Sequence, residues 1–214
     1  MRNYFFDLDG TLTDSAEGIV NSVIYALSTY GIEEKDREAL TAFVGPPLVE
    51  SFMKRYGFSA EKAEEALARF RVRFSSIGIF ENSLYEGIPG LLSALKDRGD
   101  RIVLATSKPE VFAVRILEHF DLTRYFDFIC GADLAENNRV EKEEVLSYAL
   151  EVSGADPQSS YMVGDRRYDM EAGKKLGLST VGVLYGYGSR EELAAAGADM
   201  IFETVTDLKE GLTR

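Results

Sequence analysis

From Gly87 onward the chain alternates short apolar runs with longer stretches in which apolar residues recur every three or four positions. The short runs, 102–105, 126–130, 160–163, 180–184 and 200–202, have the length of buried strands. The longer stretches, 89–98, 109–120, 142–153, 170–176 and 190–196, have helical periodicity, with Leu91, Leu92 and Leu95 on one face of the first. Gly99 ends that helix, and Pro109 stands in the first turn of the next. One more apolar run, Tyr4-Phe5-Phe6, opens the chain as a strand. Buried strands separated by helices describe a parallel sheet covered on both faces.

Residues 15–82 have a different texture, with helical patterns and no convincing strand. Asp14 or Ser15 can cap a helix carrying Ile19, Val23, Tyr25, Ala26 and Leu27 and ended by Gly31. Residues 37–43 follow, then a Gly45-Pro46-Pro47 break and helices over 48–56 and 60–74. The expected architecture is a doubly wound α/β core, residues 1–14 and 83–214, with an all-helical domain, 15–82, inserted after the first strand.

In an open α/β sheet, ligands bind beyond the carboxyl ends of the strands, so the residues after each apolar run carry the chemistry. The first run is followed by Asp7, Asp9, Gly10 and Thr11, the 102–105 run by Thr106, Ser107 and Lys108, and the 160–163 run by Gly164, Asp165 and Asp169. Lys142 opens a helix after Asn137-Asn138-Arg139. Residues i and i+2 of an extended segment point the same way, which sends Asp7 and Asp9 towards one volume. Two carboxylates about 4 Å apart repel by about 4 kcal/mol at an effective dielectric of about 20. Such a pair calls for a divalent cation, a shared proton or a basic partner; an Asx-type turn at a strand end is the plainer alternative. Hard carboxylate oxygens suit Mg²⁺, while hydroxyls and an ammonium suit phosphoryl oxygens.

Composition narrows the partners. A net charge of −12 and a pI near 4.7 over 214 residues argue against nucleic acid or an anionic membrane as the main partner. A small anionic substrate is compatible, since local cations and a metal reverse the field inside one cleft. No apolar run approaches the roughly 20 residues that span a bilayer. Met1-Arg2 leads straight into a strand rather than a signal peptide, and the single cysteine, Cys130, excludes an intrachain disulfide. A cytoplasmic location is expected; the oligomeric state is open.

Asp7-Leu8-Asp9-Gly10-Thr11-Leu12, Thr106-Ser107, Lys142 and Gly164-Asp165-Arg166-Arg167-Tyr168-Asp169 resemble the four ordered motifs of the haloacid dehalogenase-like (HAD) superfamily. The resemblance covers the whole chain and extends to the helical insertion, which is similar to that family's cap. It is closest to the phosphoglycolate phosphatase, pyrophosphatase and 5′-nucleotidase-like members. It implies that Asp7 is a nucleophile forming an aspartyl-phosphate, and that Asp9 is the general acid and base. Thr106 and Lys142 complete the catalytic set, with Gly10, Thr11, Ser107 and Lys108 at the phosphate. Mg²⁺ is implied between Asp7, the Asp9 backbone carbonyl and Asp165, with Asp169 supporting the shell. Members that dehalogenate lack the second aspartate and use no metal, so Asp9 implies a phosphorylated substrate. Lys142 departs from many relatives in being followed by Glu143 rather than proline.

The resemblance thus implies a Mg²⁺-dependent phosphatase of a small phosphorylated metabolite. A sugar-phosphate mutase would use the same residues. A phospho-accepting receiver module also pairs strand-end acids with a hydroxyl and a lysine, but is a single domain without a cap. Among other features, Gly45-Pro46-Pro47 reads equally as a cap loop or a helix breaker. Arg55, Arg69, Arg71 and Arg73 read as solvated helix charges, with Arg55 the candidate for a second anionic group. One of Arg166 and Arg167 is expected near the phosphate or paired with an acid. His119 and Cys130 read as structural, and Gly182, Gly186 and Gly188 as a turn-rich connection.

Overall fold

Tyr4, Phe5 and Phe6 are wholly buried, as an interior strand of a parallel sheet requires. They form β1 (Asn3–Phe6), after which a turn at Gly10 leads into β2 (Thr13–Asp14). The chain then builds α1 (Ala16–Ser28), a 3₁₀ turn at Ala39–Phe43, α2 (Leu48–Tyr56), α3 (Ala60–Phe74) and a second 3₁₀ turn at Gly78–Phe80. β3 (Ser83–Leu84) pairs with β2 as a two-stranded ribbon. Beyond it come α4 (Ile88–Asp97), β4 (Arg101–Pro109), α5 (Glu110–His119), β5 (Phe128–Ala132), α6 (Lys142–Ser153) and β6 (Ser160–Gly164). The chain ends with α7 (Arg167–Lys175), β7 (Ser179–Val183), α8 (Arg190–Ala195), β8 (Met200–Phe202) and α9 (Val205–Thr213). This computed structural model describes residues 1–135 and 138–214 and divides into two units, Met1–Thr13 with Leu84–Arg214 and Asp14–Ser83. Asn137, one of the polar residues ahead of Lys142, lies outside the described residues.

The first unit holds a six-stranded sheet in the order β5-β4-β1-β6-β7-β8, with each neighbouring pair parallel. β1 pairs with β4 on one side and β6 on the other, so the winding reverses at β1 and β6. A reversal of this kind opens a crevice at the carboxyl ends of those strands. Phe5 packs with Val103, Met162 and the α6 residues Val145, Leu146 and Ala149. The two-residue period of a strand sends Tyr4 to the other face, where its hydroxyl donates to the Leu212 carbonyl of α9 at 3.2 Å.

In the second unit, the buried faces of α1 (Ile19, Val23, Ala26, Leu27) and α3 (Ala63, Ala66, Leu67, Phe70) pack together. Phe52 of α2 meets the Phe43 ring edge-on at 5.1 Å and stacks on Phe58 at 6.1 Å. Gly45 has φ 101° and Pro47 caps α2, so the Gly45-Pro46-Pro47 segment is at least the expected helix boundary. Arg55 lies 3.5 Å from Glu34, and Arg73 grips both oxygens of Glu81 at 2.7 Å each. Among the described residues no helix is long and apolar enough to cross a membrane.

Several elements depart from the sequence expectation. β4 runs to Pro109 rather than residue 105, because Thr106 and Pro109 remain paired to β5 across a register shift. α7 starts at Arg167 rather than 170: Asp169 lies in its first turn, and its Oδ2 accepts the Arg166 N–H at 3.1 Å. The ribbon strands β2 and β3, two residues each, are too short for an apolar period to register. α9 is also additional; its signal is the Thr204–Asp207 capping box, in which each side chain accepts the other's backbone N–H.

The Arg73–Glu81 pair is mostly shielded from solvent, and its bidentate geometry makes it testable. Hydrogen bonds from Arg73 hold the Glu81 carboxyl below the ordinary glutamate value, with burial opposing. A depressed carboxylate contributes stability above its unfolded pKa, about 4.3, and loses it as pH falls through the folded value. Arg73→Ala is expected to cost about 1 kcal/mol at pH 7. In urea unfolding, the gap from the unsubstituted protein should close as pH falls below 4.

Candidate active site

The carboxyl ends of β4, β1 and β6 are adjacent, so the residues that follow them share one rim. Asp7, the first residue past β1, is buried; its amide donates to the Val163 carbonyl at 2.9 Å, and its Oδ1 lies 2.8 Å from Lys142 Nζ. Lys142 opens α6, reaches Asp169 Oδ1 at 2.7 Å and donates to the Ala105 carbonyl at 2.9 Å. The Ala105 carbonyl takes a hydrogen bond, and the two aspartate oxygens are held to the ammonium as buried ion pairs. Asp165, fully buried past β6, accepts the Tyr187 N–H on Oδ2 at 2.8 Å and the Thr11 hydroxyl on Oδ1 at 3.4 Å. One carboxylate oxygen each from Asp7, Asp165 and Asp169 falls within a 4.8 Å group.

Asp9 stands beyond the strand rather than on it, because β1 ends at Phe6 and the chain turns at Gly10. Its Oδ2 pairs with Lys108 Nζ at 2.8 Å, and its carboxylate is outside the Asp7–Asp165–Asp169 group. Lys108 is 8% exposed, so this is an interior ion pair. Thr106 is buried, and its Oγ1 accepts the Lys108 N–H at 3.2 Å, which leaves the hydroxyl proton to be donated elsewhere. Ser107 is next to it on the partly exposed side of β4. Gly10 and Thr11 direct their polar groups inward: the Gly10 N–H goes to the Thr13 carbonyl at 2.8 Å and the Thr11 hydroxyl to Asp165. Arg166 pairs through Nε with Glu192 at 2.9 Å, the acid-paired outcome of the two considered for it.

These acids are electrostatically strained. Burial, followed by the charges of Asp169 and Asp7, pushes the Asp165 carboxyl well above the usual range, with the Tyr187 N–H opposing. Burial pushes Asp169 up to about 6; Lys142 opposes and Asp7 adds. For Lys142, burial lowers the pKa, but Asp169 and Asp7 outweigh it and hold the ammonium above its ordinary value. Three buried carboxylates around one ammonium leave two negative charges uncompensated when all are ionised. An all-oxygen donor set with that deficit fits a hard divalent cation such as Mg²⁺.

Four further residues belong to the site's architecture. The Tyr185 hydroxyl donates to the Thr11 carbonyl at 3.0 Å, and burial pushes its pKa far up, so it stays a donor. Tyr187 holds Asp165, while Gly186 and Gly188 press against Asp165 so closely that side chains would not fit. The Gly-Tyr-Gly spacing was visible in the sequence; its partner, more than twenty residues away, was not.

Residues 4–183 match the family described as haloacid dehalogenase-like hydrolase. A 5′-nucleotidase of Pseudomonas aeruginosa is 45% identical over 193 residues, covering 90% of this chain and 87% of its own. The tyrosine-protein kinase PtkA of Mycobacterium tuberculosis is 39% identical over 209 residues, covering 97% of this chain and 71% of its own. The crystal structure of a predicted phosphatase from Clostridium acetobutylicum superposes with a TM-score of 0.95 at 47% identity, over 99% of this chain and 97% of that one.

The Lys142 bridge predicts a large stability effect. Removing one partner of a buried ion pair costs about 3–5 kcal/mol because the other charge is left uncompensated. Lys142→Ala should lose that much in chemical denaturation under EDTA. Excess Mg²⁺ should recover part of the loss by neutralising the same carboxylates.

Proposed function

The chain belongs to the haloacid dehalogenase-like hydrolase family, and we propose that it is a Mg²⁺-dependent phosphatase working through an Asp7-phosphate intermediate. The observation that carries this reading is the Lys142 ammonium bridging Asp7 and Asp169 beside Asp165, at the rim where the sheet reverses. As a phosphatase of this family it acts on small phosphorylated substrates. Nucleoside 5′-monophosphates are the first class to consider, on the name of the Pseudomonas relative; phosphoglycolate and sugar phosphates follow.

In the proposed reaction an Asp7 carboxylate oxygen attacks phosphorus, and the bond from phosphorus to the leaving oxygen breaks. Asp9, when protonated, gives its proton to that oxygen, then takes one from the water whose oxygen attacks the aspartyl-phosphate; the Lys108 ion pair favours the ionised form that this second step needs. The second attack breaks the bond from Asp7 to phosphorus, releasing inorganic phosphate and restoring both carboxyl groups. Lys108, 2.8 Å from Asp9, fixes where that carboxyl points. Thr106 donates its hydroxyl to a phosphoryl oxygen, and Ser107 and Lys108 extend the same rim. Lys142 contributes the charge it places beside Asp7. Asp7, Asp165 and the Asp9 carbonyl would hold Mg²⁺, with Asp169 behind them; when bound, the ion neutralises charge on the transferring phosphoryl group. The Thr11 hydroxyl orients Asp165, and Gly10 lets the turn pass close to that carboxylate.

The test is a phosphate-release screen over nucleoside monophosphates, phosphoglycolate, sugar phosphates and pyrophosphate, with and without EDTA. Asp7→Asn should lower turnover by at least about a thousandfold while circular dichroism stays unchanged. EDTA should abolish turnover and added Mg²⁺ restore it. Full activity in either case overturns the mechanism. An isomerised sugar phosphate without phosphate release would indicate a mutase. An arm with ATP and a tyrosine peptide tests the activity by which the mycobacterial relative is named.

A further inference from the structure

Asp165 is held by a segment that the reaction itself does not use. Tyr185-Gly186-Tyr187-Gly188 leaves the carboxyl end of β7, the strand next to β6. The Tyr187 N–H meets Asp165 Oδ2 at 2.8 Å, and the Tyr185 hydroxyl meets the Thr11 carbonyl at 3.0 Å. Thr11 in turn gives its hydroxyl to Asp165 Oδ1 at 3.4 Å. A Cβ on Gly186 would lie 2.2 Å from the Gly10 carbonyl oxygen and 2.5 Å from Asp165 Cβ. One on Gly188 would lie 1.9 Å from the Asp165 carbonyl oxygen, and one on Gly10 2.1 Å from Asp165 Oδ2. Backbone is thus packed against this carboxylate from two directions.

We propose that Tyr185–Gly188 is a positioning clamp that locks Asp165 to the Asp7–Thr11 turn and thereby sets the affinity of the site for its divalent cation. The inference rests on Asp165 being a metal ligand, as the functional reading has it. Each Asp165 oxygen accepts one hydrogen bond, so each keeps a lone pair while the carboxyl plane is fixed. A carboxylate oriented in advance loses little freedom when an ion arrives, whereas a rotating one must be ordered at that moment. The Tyr185 hydroxyl holds the other half of the site by tethering the turn that carries Asp7 and Asp9. Tyr185 is itself braced edge-on by Tyr85 at 4.8 Å. Tyr185, Gly186 and Gly188 are therefore positioning residues.

The experiment is Mg²⁺ titration calorimetry on the whole 214-residue chain, with Gly186→Ala, Tyr185→Phe and Asp165→Asn beside the unsubstituted protein. Losing a partner that orients a metal ligand typically weakens metal binding by about 10- to 100-fold. Gly186→Ala is expected in that range and Tyr185→Phe at its lower end. Both should regain most of their kcat at saturating Mg²⁺, a rescue that general loosening would not give. Metal-free circular dichroism reports folding. If Gly186→Ala does not fold, Tyr185→Phe, which removes one oxygen, carries the test alone. Unchanged affinity in the folded variants, with binding lost in Asp165→Asn, overturns the clamp and leaves the metal site standing. Unchanged affinity in Asp165→Asn overturns the metal assignment and the clamp with it.

Discussion

A deficit of positive charge in a small dry space governs the site. Asp7, Asp165 and Asp169 bring carboxylate oxygens within 4.8 Å of one another, where each pair of charges repels by about 3.5 kcal/mol at an effective dielectric of about 20. Lys142 touches two of the three and leaves Asp165 to a backbone N–H and a hydroxyl. The raised pKa values of Asp165 and Asp169 express the same imbalance. The fold therefore holds a charge distribution that is unfavourable alone and favourable with a divalent cation. A second lysine, Lys108, pairs with Asp9, whose carboxylate lies outside that group of three.

The sheet makes this concentration of charge possible. Its winding reverses at β1 and β6, the topology in which connections lead away on either side of those strands' carboxyl ends. The strands beneath are fully buried, from Tyr4 to Phe6 and from Ile102 to Ala105, which fixes the rim on a rigid base. α6 and α7 add to the site at their first turns, through Lys142 and Asp169. Asp169 also accepts the Arg166 N–H, so one carboxylate caps a helix and opposes the Lys142 charge. Placing functional groups on strand ends and first helical turns keeps them on the stiffest parts of the molecule.

What the sequence disclosed, and what it did not, follows from the range of each cause. Asp7, Thr106 and Asp165 each follow a short local run of apolar residues, and those positions were legible. Lys142 was legible as a charge at a helix start, but its three acceptors come from three separate segments and required coordinates. Thr11 belongs to a phosphatase-like motif, yet its hydroxyl partner is 154 residues away, and only the fold shows that it turns inward. Gly186 and Gly188 look like ordinary turn residues because their reason is the proximity of Asp165. α9 followed a capping box between Thr204 and Asp207, a local signal that an apolar periodicity does not capture.

The two lysines illustrate why residue type alone does not assign a role. Both are buried and both pair with an aspartate of the first turn at 2.8 Å. Lys142 lies between two buried aspartates and donates to the Ala105 carbonyl, so its charge shapes the field around Asp7. Lys108 extends from the last stretch of β4, where the register to β5 shifts, and its amide is tied to the Thr106 hydroxyl oxygen. Any motion of the Lys108 backbone is therefore felt at Thr106, and any motion of its ammonium at Asp9. In the proposed reaction the groups for proton transfer and phosphoryl binding would thus be coupled through Lys108, while the proposed nucleophile is paired with Lys142. A fixed Asp7 suits the proposed reaction, in which phosphorus would be attacked twice and the same carboxylate would have to be in place for both steps.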